Sequence, residues 1–177
     1  PKRKMTKLHS NLDILQCIGS GHFGDVHLAK DDVHGDVAVK ILRQQAGEDD
    51  VEWKLRRDGL LAEAQRLKKA THRNVVQVHH VLESETGDAV HLVMEYCKGG
   101  SLQGTFERNP MRLPEVRKLA TEVCFGLQAL HARGMLHRDI KPGNLLRDEK
   151  GVVKLGDFGL VTDDIILGYG SQVGYLD

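Results

Sequence analysis

Apolar and polar positions alternate through the first forty residues. Leu12, Ile14 and the pair Cys17-Ile18 form one apolar segment, and Val26, Leu28 and Lys30 fall on one side of the next run. A turn at Asp32 to Gly35 separates that run from Val37, Val39 and Ile41, so residues 11–41 predict strands that include a hairpin. Residues 43–50 are polar, contain Gly47 and read as a loop. A helix is predicted from about Val51 to Ala70, because Leu60, Ala64 and Leu67 recur at i, i+4 and i+7. Val75 to Leu82 and Ala89 to Glu95 predict two further strands around a polar turn at Glu85 to Asp88. A second long helix starts near Pro114, carries the stripe Val116, Leu119, Val123, Leu127 and Leu130, and ends at Gly134. Leu145-Leu146 and the run Val152, Val153, Leu155 predict a short strand pair about a turn at Asp148 to Gly151.

Composition narrows the possibilities. The 177 residues are 40% hydrophobic, enough to bury a core in one ordinary domain or two small lobes. The net charge is +0 with 28% charged residues, so bulk electrostatics offer no case for nucleic acid or membrane binding. Pro1-Lys2-Arg3-Lys4 is basic but short, and reads as a solvated tail. No apolar run approaches the roughly 18 residues that cross a bilayer, and no secretory signal pattern is present. Cys17, Cys97 and Cys124 are scattered and odd in number, without metal spacing, which predicts reduced thiols and a cytoplasmic setting. Cys124, beside the second helix stripe, reads as a small buried residue. The absence of an initial Met and the stop at Asp177 predict a fragment of a longer protein.

The candidate chemistry lies in His137-Arg138-Asp139-Ile140-Lys141-Pro142-Gly143-Asn144 and in Asp157-Phe158-Gly159. Asp139 can accept the proton of a hydroxyl, and Lys141 can reach a transferring phosphate. Asn144 and Asp157 offer oxygen ligands to a hard cation such as Mg²⁺. Upstream, Gly19-Ser20-Gly21-His22-Phe23-Gly24 precedes residues that alternate with period two, predicting strand–turn–strand. A dinucleotide-binding oxidoreductase would instead need a helix directly after Gly24. Glycines at such a turn let backbone approach phosphates closely. Ala38 and Lys40 point to one sheet face, toward a pocket if the glycine turn covers it.

In their order along the chain these segments resemble the motifs of eukaryotic-type Ser/Thr protein kinases, over about residues 12–177. The resemblance implies a two-lobe α+β fold: a small antiparallel-sheet N-lobe over 12–96 after a basic tail at 1–11, and a hinge with a partial, mainly helical C-lobe over 97–177. It implies ATP and Mg²⁺ as cofactors, a protein substrate, and transfer of the γ-phosphoryl group to Ser/Thr hydroxyls. Asp139 would orient and help deprotonate the hydroxyl, Lys141 would stabilise the migrating group, and Asn144 and Asp157 would hold Mg²⁺. Lys40 would contact the ATP phosphates, steadied by Glu63, which fits that role better than Glu52. Gly19, Gly21 and Gly24 would form a lid. Ile18, Val26, Ala38 and Leu146 would sandwich adenine, with Met94 at the back of the pocket and the Glu95 carbonyl and Cys97 amide bonding its edge. His137 would buttress the loop, and Arg138 would pair with an activating phosphate at Ser171 or, less well placed, Thr162.

The Lys141-Pro142-Gly143-Asn144 spacing is the Ser/Thr pattern, whereas Gly174-Tyr175 falls where that class has Gly-Thr. The family's Ala-Pro-Glu motif is absent. Its absence predicts an uncovered apolar face on the second long helix, open to a partner or to self-association. The alternative function is a nucleotide-binding but non-catalytic, pseudokinase-like interaction module.

Overall fold

The computed structural model describes residues 7–9, 12–21, 24–84, 86–108 and 110–156. Six strands form an antiparallel sheet in the order β1-β2-β3-β4-β6-β5: β1 Lys7–His9, β2 Leu12–Gly21, β3 Gly24–Asp31, β4 Gly35–Arg43, β5 Val78–Glu83 and β6 Ala89–Glu95. The expected tail at 1–11 is therefore interrupted, because Lys7–His9 pairs with the start of β2 and adds a short edge strand. Strand alternation gives the sheet two faces. On the outer face Ala29, Val37, Val39, Ile41 and Val93 bury one apolar cluster. On the inner face Leu42, Val78, Val90, Leu92 and Met94 join a larger one.

Helix α1, Asp50–Lys69, packs on β5 and β6. Its first turn is closed by a capping box in which Asp49 accepts from the Val51 and Glu52 amides while Glu52 accepts from the Asp49 amide. That assigns Glu52 to the helix cap. The predicted stripe holds: Ala64 and Leu67 are buried with Leu60 against them, and Trp53 joins them, its indole donating to the Gly87 carbonyl at 2.7 Å.

The second part contains β7 Gly100–Ser101, the short helix α2 Gln103–Arg108, α3 Leu113–His131, β8 Leu145–Arg147 and β9 Val153–Leu155, with β7, β8 and β9 in one small antiparallel sheet. The inner-face cluster continues without a break into this part through Val75, Val76, Leu102, Leu130, Met135, Leu145 and Leu155. This is the α+β, two-lobe arrangement, with the seam between its parts bridged by core.

Three expectations are corrected. Residues 75–77 do not extend β5. Val75 instead forms a parallel bridge with Leu155, and the Val76 amide donates to the Leu155 carbonyl at 2.8 Å, so this stretch ties β9 to the sheet. The predicted stripe of α3 holds at Leu119, Val123, Leu127 and Leu130, which pack into the core, but Val116 is exposed and the most buried positions include Glu122 and Gly126. Leu155 of β9 and the Asn74 carbonyl approach so closely that only glycine fits at 126, and the Val153 amide donates to the buried Glu122 carboxylate at 3.1 Å. Cys124, one position past the stripe residue Val123, is exposed, not buried. Leu113, Val116 and Phe125 leave α3 with exposed apolar surface, as expected.

Candidate active site

A cleft of about 430 Å³ opens between the sheet and the second part. Its walls follow from strand alternation. Ala38 and Lys40 project from β4 on the inner face, opposite Met94 and Leu92 of β6, and Val26 lies opposite Lys40 on β3. Ile18, Gly19, Val26, Ala38, Lys40, Met94, Glu95, Cys97 and Leu146, all named from sequence, line it, together with Asn144. Val76, Tyr96, Gly100, Ser101, Gly143 and Gly156 also line it and were not anticipated. Val76 was masked by its apparent membership of a strand. The two-residue β7, which places Ser101, is too short to leave a periodic signal.

The glycine turn is strand–turn–strand, as expected. β2 runs to Gly21, β3 starts at Gly24, and these two residues pair. Gly24 has φ of 119°, and a Cβ there would lie 2.2 Å from the Ile41 carbonyl oxygen, so no other residue fits. Continuation as strand excludes the dinucleotide-binding arrangement. Gly24 is not among the described residues that line the cleft, whereas Gly19 is. His22 and Phe23 lie outside the described residues, as do the Glu63 side chain, Asp157-Phe158-Gly159, Thr162, Ser171 and Gly174-Tyr175.

At the cleft's inner end Lys40 is buried. At the hinge, the Glu95 carboxylate turns away to pair with buried Lys154 at 3.0 Å, which leaves backbone on the cleft side. Burial, with Glu95 adding to it, pushes the Cys97 thiol up to about 12. Cys97 is therefore an apolar lining group and not a nucleophile.

The loop from His137 to Asn144 is held by buried polar groups. His137 is buried, and its Nε2 faces the Gly156 carbonyl at 2.9 Å, so Nε2 carries the hydrogen. That leaves Nδ1 as the acceptor for the Asp139 amide at 3.4 Å. The Gly156 amide in turn donates to the Asn144 carbonyl at 2.9 Å. The end of β9 is thereby fixed to the loop from both sides, and His137 buttresses it. Arg138 takes φ of 61°, the left-handed region, in the tight bend before Asp139.

Asp139, Lys141 and Asn144 converge. The Lys141 ammonium lies 2.8 Å from Asp139 Oδ2, and Asn144 Nδ2 donates to both Asp139 Oδ2 and the Asp139 carbonyl at 2.8 Å each. Burial pushes the Asp139 carboxyl upward, but the hydrogen bonds from Lys141 and Asn144 outweigh it and hold the group below the usual carboxylate range. Asn144 spends both amide hydrogens on Asp139, so its Oδ1 is the donor atom left for a cation, and a neutral hard oxygen suits Mg²⁺. The arrangement can hold an ionised carboxylate beside a cation, and Asn144 joins it to the cleft.

Among proteins of known sequence, the Serine/threonine-protein kinase TOS3 of Saccharomyces cerevisiae is 35% identical over 164 residues, covering 85% of this chain and 29% of its own length. The CBL-interacting serine/threonine-protein kinase 21 of Arabidopsis thaliana is 38% identical over 160 residues, 88% of this chain and 36% of that protein. The Tyrosine-protein kinase JAK1 of Danio rerio is 33% identical over 150 residues, 81% of this chain and 12% of that protein. The chain thus spans about a third or less of these relatives. The sequence profile of the protein kinase domain matches residues 12–165, from the start of β2 to beyond the His137–Asn144 loop, and the chain belongs to that family.

Proposed function

We propose that the protein transfers the γ-phosphoryl group of ATP to Ser or Thr hydroxyls of protein substrates. The observation that carries this reading is the convergence of Lys141 and Asn144 on Asp139 at 2.8 Å, with Asn144 lining the same cleft as buried Lys40. Adenine fits between Ile18, Val26, Ala38 and Leu146, and its edge faces the hinge backbone at Glu95 and Cys97. Lys40 contacts the phosphates. Asn144, with Asp157, would hold Mg²⁺, which when bound would neutralise charge on the transferred group.

The substrate oxygen bonds to the γ-phosphorus as the bridging β–γ oxygen departs with ADP, and the hydroxyl proton passes to Asp139. A carboxylate held below its usual range is a weak base, so Asp139 acts mainly by orienting the hydroxyl, which suits a loose transition state. Lys141, two residues after Asp139, supports Ser/Thr over Tyr substrates, and two of the three relatives named above are Ser/Thr kinases.

The test is intact mass after incubation with Mg²⁺–ATP and a generic Ser/Thr substrate, with Asp139→Asn in parallel. Phosphoryl transfer should fall by about 10²–10⁴-fold in the variant, with nucleotide affinity by calorimetry nearly unchanged. Equal transfer by both proteins would remove Asp139 from the reaction. Nucleotide binding with no transfer by either would favour the non-catalytic module.

A further inference from the structure

A second cluster of polar side chains lies away from the cleft, on the outer face of the sheet. Asp31 ends β3 and, by strand parity, shares a face with Ala29, which lies opposite Val37. His34 is in the β3–β4 turn, anchored by the Val33 amide donating to Asp31 Oδ1 at 2.8 Å. His80 comes from β5, and a β-bulge brings it there. Val78 pairs with Met94 but His80 pairs with Val93, one step along β6 for two along β5. Without the bulge His80 would share the inner face with Val78. With it, His80 turns outward to the face of Val93.

We propose that Asp31, His34 and His80 form a binding site for Zn²⁺. Asp31 Oδ2 lies 3.1 Å from His34 Nδ1 and 3.4 Å from His80 Nε2, and the three donor atoms all lie within 4.8 Å of one another. Bonds of about 2.0–2.1 Å in a tetrahedron put neighbouring donors about 3.3–3.4 Å apart. The two carboxylate–imidazole edges therefore already have the required length, and only the third edge has to close. Two imidazoles among three donors select a borderline transition metal over Mg²⁺ or Ca²⁺. His79, the neighbour in the bulge, stacks its ring on His34 with centroids 4.0 Å apart and braces that ligand. Both imidazoles are part exposed, His34 at 29% and His80 at 39%, so the ion has an entry path and water can complete its shell. The site would clip the β3–β4 turn to β5, on the sheet face turned away from Lys40.

The alternative is that both histidines only hydrogen-bond the carboxylate. To separate the two, the intact protein, stripped with EDTA and carrying Cys17→Ser and Cys124→Ser to remove exposed thiols, is titrated with Zn²⁺ by calorimetry and with Co²⁺ by visible absorption. One equivalent of Zn²⁺, a tetrahedral Co²⁺ band and a raised unfolding midpoint are expected. His34→Gln and His80→Gln, confirmed as folded by circular dichroism, should each weaken binding at least about 10-fold, while His79→Gln retains the equivalent. Absence of binding in the parent protein, or equal binding by the parent and both ligand variants, would overturn the site.

Discussion

Helices α1 and α3 have 20 and 19 residues, yet they dock by different means. α1 meets the sheet through side chains: Trp53, Ala64 and Leu67 fill the space between helix and strands, and its glycine, Gly59, faces open solvent with nothing within 4 Å of a would-be Cβ. α3 also packs Leu119, Val123, Leu127 and Leu130 into the core, but it meets Leu155 of β9 and the Asn74 carbonyl through a glycine. A Cβ at Gly126 would lie 2.5 Å from the Asn74 carbonyl oxygen and 2.9 Å from Leu155, and the adjacent buried position is a glutamate that accepts a strand amide. The first contact is generic hydrophobic burial and tolerates changes of shape. The second is a close fit that also fixes β9, and β9 leads directly into Gly156, which is hydrogen-bonded to His137 and Asn144. The precise geometry is concentrated where the reacting groups are positioned.

The same substitution should therefore have opposite signs on the two helices. Gly126→Ala places a methyl against backbone that cannot swing aside, and should destabilise the protein by about 1–3 kcal/mol. Because the strain falls on β9 and the Asn74 loop, nucleotide-dependent activity should fall with it. The measurement is a urea midpoint with unchanged m value, alongside phosphoryl transfer. A neutral or stabilising result would mean that α3 is not seated on β9 as described.

Gly59→Ala is the smaller partner experiment. It relieves a helix-interior glycine at an open position and should stabilise by about 1 kcal/mol or slightly less. Destabilisation there would show that α1 has a neighbour over Gly59, and the contrast between the helices would collapse.

The difference between the helices also decided what was legible beforehand. Burial through apolar side chains leaves a 3.6-residue period, so Leu60, Ala64 and Leu67 could be read directly. On α3 the period correctly marked Leu119, Val123, Leu127 and Leu130, but it also took in exposed Val116, and buried Glu122 and Gly126 carry no hydrophobic signal and so were missed, while Cys124 was placed inside. The cleft shows the same division. Ile18, Val26, Ala38, Met94 and Leu146 stand on alternating strands or in motif positions and were recognisable. Val76 lines the cleft only because residues 75–77 leave the main sheet to pair with Leu155. Asp31 and His34 are three residues apart, but His80 reaches them through a bulge that reverses its face, and a bulge has no sequence period to betray it.

The smallest effect concerns how α1 is fastened at its N-terminal end. Arg56 donates to Glu48 through Nε at 2.7 Å and Nη2 at 2.6 Å, donates to the Arg43 carbonyl at 2.9 Å, and lies 4.7 Å above the Trp53 ring. The Arg56 hydrogen bond, only partly opposed by desolvation, holds the Glu48 carboxyl at about 2 instead of 4.5. A folded-state value below the unfolded one contributes stability that is fully present above the unfolded value. It is lost as pH falls from about 4.5 through about 2. Glu48→Gln should therefore lower the urea midpoint slightly at pH 7, and the gap between variant and parent should close as pH is taken from 5 toward 2. Salt should shrink the gap as well, since the pair is near the surface. A gap that stayed constant across that range would mean that Glu48 holds α1 by packing and neutral hydrogen bonds. α1 would then be fastened by fit as α3 is, and charge would have no part in the difference between the two helices.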